Sequence, residues 1–134
     1  MDVFADTSAL YAVLDRRDDF HEAAASAWTR LVESEADRLV TTSYVVVETT
    51  SLLQRRIGFE AARVFLEDMV PVLDVGLLGP AVHDDAVASF LESGSRSLSL
   101  VDCASFAWMR DIGTSTAFTF DAHFARAGFS SFPS

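Results

Sequence analysis

Val3-Phe4-Ala5-Asp6-Thr7-Ser8 is the stretch whose reading sets the fold. Three apolar residues, two of them strand formers, run straight into an acid and two hydroxyls. Ala9, Leu10, Tyr11, Val13 and Leu14 then follow in the manner of a helix start. A short apolar run bounded this way suits a strand buried on both faces, as in a parallel sheet. Asp6 then stands at the carboxyl end of that strand, where open α/β sheets place their ligands. Asp, Thr and Ser are also ordinary helix N-caps, so Asp6 has a second reading as the residue that merely starts a helix. The choice turns on where the other acids fall.

Outward from this stretch the same alternation of short apolar runs and helical spacings recurs. After a charged turn at Asp15–Asp19, the positions Phe20, Ala23, Ala24, Ala27, Trp28 and Leu31 mark one helix face. Leu39-Val40-Thr41 reads as a strand, with Thr42-Ser43 as a cap for a helix to Arg56 whose inner face carries Tyr44, Val45, Glu48 and Leu52. Gly58 breaks that helix, and the next is expected to bury Phe59, Ala62, Leu66, Met69 and Val70. Pro71–Val75 is the third strand candidate. Pro80 suits the first turn of a helix with Val82, Ala86, Phe90 and Leu91 on one side. A further helix from Val101 to Ile112 turns Val101, Ala104, Ser105, Trp108 and Ile112 inward and stops at Gly113. Ala117–Phe120 is a strand ending at Asp121, Phe124 belongs to a short last helix, and Phe129–Phe132 is a final edge strand. Strands alternating with helices indicate an α/β fold with a mainly parallel sheet, and right-handed connections put helices on both faces.

The 134 residues, half of them hydrophobic, make one domain over 1–134 with a substantial core. No apolar run approaches the roughly 18 residues that span a bilayer. The first residues lack the basic and apolar segments of a secretory signal, and the single Cys103 has no internal disulfide partner, which together fit a cytoplasmic protein. The net charge of −10 repels nucleic acid at long range, unless acids are gathered to hold a cation that reverses the local field. All ten basic residues are arginines, and there is neither lysine nor asparagine. Phosphate-cradling loops need their lysine, and kinase-type sites need both residues. Arg16, Arg17, Arg55, Arg56 and Arg96 are left as basic candidates for phosphate contacts.

Asp6, Asp121 and Asp102 hold equivalent places: the first two follow strands, and the third opens a helix after Leu98-Ser99-Leu100. In a parallel sheet every strand-to-helix junction lies on one edge, so these acids converge there. Ser99-Leu100-Val101-Asp102 also fits the S-x-x-[DE] capping pattern, and Asp121 reads equally as an N-cap. Glu48 lies too deep in its helix for a capping box and shares the stripe of Tyr44 and Leu52. Its alternatives are a salt bridge to an arginine or an outward-facing position. Carboxylates crowded together raise one another's pKa unless a cation intervenes, and hard oxygen ligands select Mg²⁺ or Mn²⁺. Scattered histidines and a lone cysteine give zinc poor support.

Asp6-Thr7-Ser8, Thr42-Ser43-Tyr44-Val45-Val46-Val47-Glu48, Ser99-Leu100-Val101-Asp102 and Thr119-Phe120-Asp121-Ala122-His123-Phe124, in this order and spacing, resemble the PIN-domain nucleases and more narrowly the VapC-type toxins of toxin–antitoxin pairs. The resemblance implies a three-layer α/β/α fold around a short, mainly parallel sheet of four or five strands. It also implies Mg²⁺ or Mn²⁺, cleavage of single-stranded or structured RNA, homodimers, and a cognate antitoxin that often inserts an arginine into the acidic site. Many members carry another acid two residues past the last aspartate, where this chain has His123.

These readings together give a metal-dependent endoribonuclease with no membrane association. Asp6, Asp102 and Asp121 would hold the ion, and Glu48 would complete the site and activate water. Thr7, Ser8, Thr119 and His123 are candidates for contacts to water or phosphate. The rival from another class is a catalytically silent module that binds RNA or protein on the same fold.

Overall fold

A computed structural model describes residues 1–134. Five strands, β1 (Asp2–Ala5), β2 (Arg38–Thr42), β3 (Asp74–Gly76), β4 (Thr116–Phe118) and β5 (Ser130–Phe132), form one sheet in the order β3-β2-β1-β4-β5. Every pairing is parallel. The helices are α1 (Thr7–Leu14), α2 (His21–Glu33), α3 (Ser43–Arg56), α4 (Phe59–Val64), α5 (Pro80–Ser93), α6 (Leu100–Ile112) and α7 (Ala122–Arg126). The expected three-layer architecture holds, with five strands.

The order follows from the connections. From β1 the chain steps outward to β2 and β3, then returns past β1 to β4 and β5. Right-handed crossovers in opposite directions place their helices on opposite faces. The reversal between β1 and β4 is the topological switch point, which opens a crevice at the carboxyl ends of those two strands. Val3, Phe4 and Ala5 are fully covered, as are Ala117 and Phe118, so the strand at the switch point is buried on both faces as its apolar run predicts. The backbone N–H of Asp6 extends the pairing with a bond to the Phe118 carbonyl (3.0 Å), and the buried Thr41 hydroxyl donates to the Ala5 carbonyl (2.7 Å).

Local signals place most helix starts. Asp6, Thr42, Ser99 and Asp121 are N-caps, Pro80 opens α5, and Gly113 ends α6 in the left-handed region. Several expected phases are corrected. Val70-Pro71-Val72 makes a 3₁₀ turn, because proline offers no N–H to a ladder, and the third strand begins at Asp74. The fourth ends at Phe118, because Phe120 turns its N–H away to the Ser8 hydroxyl (3.0 Å). Beyond α4 the chain passes through a turn of π-helix at Phe65–Met69. Ala62 and Met69 are buried as expected, with Phe65 joining them at ordinary helical spacing, while Phe59 and Leu66 are exposed. Leu91 and Ile112 also face outward, and α6 buries Cys103, Phe106 and Met109 instead. On α3 the fully buried stripe is Val45, as expected, with Thr49 and Leu53 in place of Glu48 and Leu52. Glu48 therefore lies on the border of the core.

Candidate active site

The crevice at the switch point is a cavity of about 530 Å³ whose walls include Asp6, Glu48, Asp102 and Asp121. All four candidate acids come together, from β1, α3, α6 and the turn after β4. This is the convergence that a parallel sheet imposes on its junctions.

The capping and ligand readings of the three aspartates turn out to be compatible, because a carboxylate has two oxygens. Oδ2 of Asp6 accepts the Ser8 N–H (3.3 Å), the Ser8 hydroxyl (2.7 Å) and the Thr119 hydroxyl (2.9 Å). Oδ2 of Asp102 accepts the Ser99 N–H (3.1 Å), while the Ser99 hydroxyl accepts the Asp102 N–H (3.0 Å), a complete capping box. Oδ1 of Asp121 accepts the His123 N–H (2.8 Å) and lies 2.7 Å from His123 Nδ1. In each case the second oxygen has no protein partner, and each residue lines the cavity. One oxygen fixes the rotamer and the other carries no protein hydrogen bond.

The hydroxyls expected to touch water or phosphate have prior engagements. Ser8 and Thr119 donate to Asp6, and they accept the backbone N–H of Phe120 (3.0 Å) and of Asp121 (3.0 Å) respectively. They orient Asp6 and tie β1 to the segment carrying Asp121. Thr7 accepts from the buried Thr49 hydroxyl (3.2 Å). His123 is held between Asp121 and the Ser97 hydroxyl, 3.2 Å from Nε2.

Electrostatics report the crowding. Burial pushes the Asp6 carboxyl up to about 7; the Ser8 and Thr119 hydroxyls oppose this, while the charges of Asp102 and Asp121 reinforce it. Glu48 is raised by burial, with Thr7 opposing and Asp102 and Asp121 reinforcing. Asp102 is raised chiefly by burial, against its bonds to Ser99. A site built this way fits a divalent cation. Donor atoms of Asp102, Asp121 and His123 lie within 4.8 Å of one another, Asp6 and Glu48 line the same cavity outside that tight group, and no basic side chain is ion-paired to Asp6, Glu48 or Asp102. Cation binding removes the cost of holding these charges together.

The sequence reading missed the aromatic wall of the cavity. Phe20 and Phe120 line it as a stacked pair, with ring centroids 4.7 Å apart and planes 13° from parallel. Helical periodicity assigns Phe20 to the α2 core face, and strand periodicity assigns Phe120 to β4. Only the long-range pairing shows their shared purpose. Of the arginines singled out as phosphate contacts, Arg56 reaches this cavity, packed over the Tyr11 ring (5.4 Å). Arg16, Arg17 and Arg56 line an adjoining cleft of about 360 Å³. No helix is long and apolar enough to cross a membrane.

Comparison with known proteins gives consistent results. Residues 3–130 match the PIN domain. The chain is 32% identical over 128 residues to the 23S rRNA-specific endonuclease VapC20 of Mycobacterium tuberculosis, covering 95% of each chain. The crystal structure of that sarcin–ricin-loop-cleaving toxin superposes with a TM-score of 0.84 at 30% identity, covering 95% of both. VapBC2 from Rickettsia felis, solved with a promoter DNA fragment, shares the fold at a TM-score of 0.71 and 11% identity, over 98% of this chain and 97% of that one.

Proposed function

This chain belongs to the PIN-domain family, on its VapC branch, and from that membership we propose that it is a Mg²⁺- or Mn²⁺-dependent endoribonuclease, the toxin of a toxin–antitoxin pair acting in the cytoplasm. The observation that carries this reading is the division of labour in the three aspartates, each fixed through one oxygen and keeping the other free of protein bonds, all of them lining the cavity shared with Glu48. A scaffold needs the caps but not the second set of oxygens.

Asp6, Asp102 and Asp121 would hold the ion. When bound, the ion supplies charge neutralisation on the phosphate and an acidified water. Glu48, raised by burial toward the working pH, takes the proton from the attacking water. Ser8 and Thr119 fix Asp6, and His123 fixes Asp121. The water oxygen bonds to phosphorus as the bond to the 3′ oxygen breaks, and that oxygen takes a proton from solvent water as it leaves. The products carry 5′-phosphate and 3′-hydroxyl ends. Arg56 is placed to meet a flanking phosphate. RNA of the sarcin–ricin-loop type is the substrate class suggested by the relative, and a cognate antitoxin and a second copy of the chain complete the partners.

The test uses a sarcin–ricin-loop hairpin RNA with Mg²⁺ or Mn²⁺. Cleavage that stops with a chelator and leaves 5′-phosphate ends is expected. Cleavage that continues in the chelator, or leaves cyclic phosphates, removes the mechanism. Glu48→Gln is expected to slow cleavage by about 100- to 10,000-fold through loss of the proton acceptor, read from single-turnover rates. An unchanged rate would take Glu48 out of the reaction.

A further inference from the structure

We infer that the Phe20–Phe120 stack is a platform on which an unpaired nucleobase beside the scissile phosphate stacks, making Phe20 a substrate-positioning residue; this rests on the nuclease reading above. Phe120 covers one face of the Phe20 ring, yet the residue remains 49% exposed in the wall of the carboxylate cavity. Its backbone is fixed on both sides: the Phe20 N–H donates to Asp18 Oδ1 (2.9 Å), and its carbonyl accepts the Ala24 N–H (2.8 Å). The backbone is thus anchored at the start of α2, and the stack on Phe120 sets the plane of the exposed ring.

The second ring is coupled to the chemistry. Phe120 immediately precedes Asp121, and its N–H donates to the Ser8 hydroxyl that itself donates to Asp6 Oδ2. A base lying on this stack is therefore registered against two of the presented carboxylates. The charge balance explains why such a platform is needed. A chain of net charge −10 without lysine cannot hold RNA by a broad basic surface. Stacking on an aromatic face is indifferent to that charge and tolerant of base identity. The platform positions an unpaired base and leaves sequence preference to other contacts.

The probe is the sarcin–ricin-loop hairpin RNA carrying 2-aminopurine at each unpaired position in turn, titrated with the slow-cleaving Asp6→Asn chain and read before cleavage sets in. Fluorescence at one or two positions is expected to be quenched on binding. The quench is lost when Phe20→Leu is added and retained with Phe20→Tyr. In the chain with Asp6 intact, Phe20→Leu is expected to raise KM by about 10-fold with kcat within about twofold of the original, and Phe20→Tyr to restore KM. A melting curve of the Phe20→Leu chain overlaying the parent separates this from misfolding. Full quenching and an unchanged KM in Phe20→Leu overturn the platform, and assign the stack to packing or to a protein partner. Quenching by a wild-type chain that cuts no RNA sinks the nuclease reading while leaving the platform in place.

Discussion

Asp6→Asn is expected to lower cleavage by about 100-fold or more and, at the same time, to make the metal-free protein more stable. The first effect follows from removing a negative oxygen from the cation site. The second follows from the bonding pattern. All three hydrogen bonds to Asp6 converge on Oδ2, so an asparagine carbonyl can accept every one of them while its amide takes the place of the unbonded oxygen. The substitution keeps the cap and deletes the charge. Displacement of the Asp6 pKa from 3.8 to about 7 corresponds to a penalty on the order of 4 kcal/mol in the metal-free native state above pH 7.

The sign is fixed by linkage. A native-state pKa above the unfolded value means that the folded chain binds more protons between pH 4 and 7. This contribution to stability is therefore greatest below about pH 4 and is lost as pH rises through 7. Glu48 and Asp102 are shifted in the same direction. Asp2 and Asp15 are lowered, by Arg38 and by the Tyr11 hydroxyl respectively, so their stabilisation is present above pH 4 and fails only in stronger acid. Without metal, wild type is thus expected to melt at a higher temperature at pH 5 than at pH 8, and Asp6→Asn to flatten that slope. At pH 8 the variant gains roughly 5 °C or more over wild type. Mg²⁺ or Mn²⁺ raises the wild-type Tm and moves the variant less. A variant that melts below wild type at pH 8 without metal would contradict the account of a crowded, charge-strained pocket.

Gly76→Ala is expected to destabilise the fold by about 1–3 kcal/mol, an overpacking cost rather than a conformational one. A Cβ there would lie 2.1 Å from Cζ2, 2.5 Å from Cη2 and 2.9 Å from Cε2 of Trp108. Backbone strain plays no part, because Gly76 is not among the glycines with positive φ. The neighbour is a rigid bicyclic ring packed against the main core, so it cannot yield as the end of a flexible chain would. Trp108 belongs to α6, whose first turn carries Asp102. The close approach at Gly76 thus seats that helix on β3 and, through it, one carboxylate on the rim. Thermal unfolding should show a drop of roughly 5 °C. Combining Gly76→Ala with Trp108→Leu should cost less than the two single losses added, since both act on one contact. An unchanged Tm in Gly76→Ala would mean that the indole has room to move.

Much of the architecture is written locally. The doubly buried run Val3–Ala5 specifies a central parallel strand, and Thr42, Pro80, Ser99 and Gly113 mark helix ends by chemistry that acts within a few residues. Because such strands align their junctions, the meeting of Asp6, Asp102 and Asp121 was legible as well. Where the local period was interrupted, the reading slipped. Pro71 postpones β3 to Asp74, and on the preceding helix Phe65 takes the buried place expected of Leu66.

The sequence by itself therefore determined the alternation of elements, their caps and the edge on which the acids gather, since each depends on residues adjacent in the chain or on the geometry of a parallel sheet. Only the tertiary structure decided which oxygen of each aspartate is bonded and which is presented, that Glu48 sits at the border of its helix's buried stripe, and that Phe20 stacks on Phe120 across a hundred residues. Those outcomes are fixed by hydrogen bonds and packing between segments far apart in sequence. No periodicity within either segment carries that information.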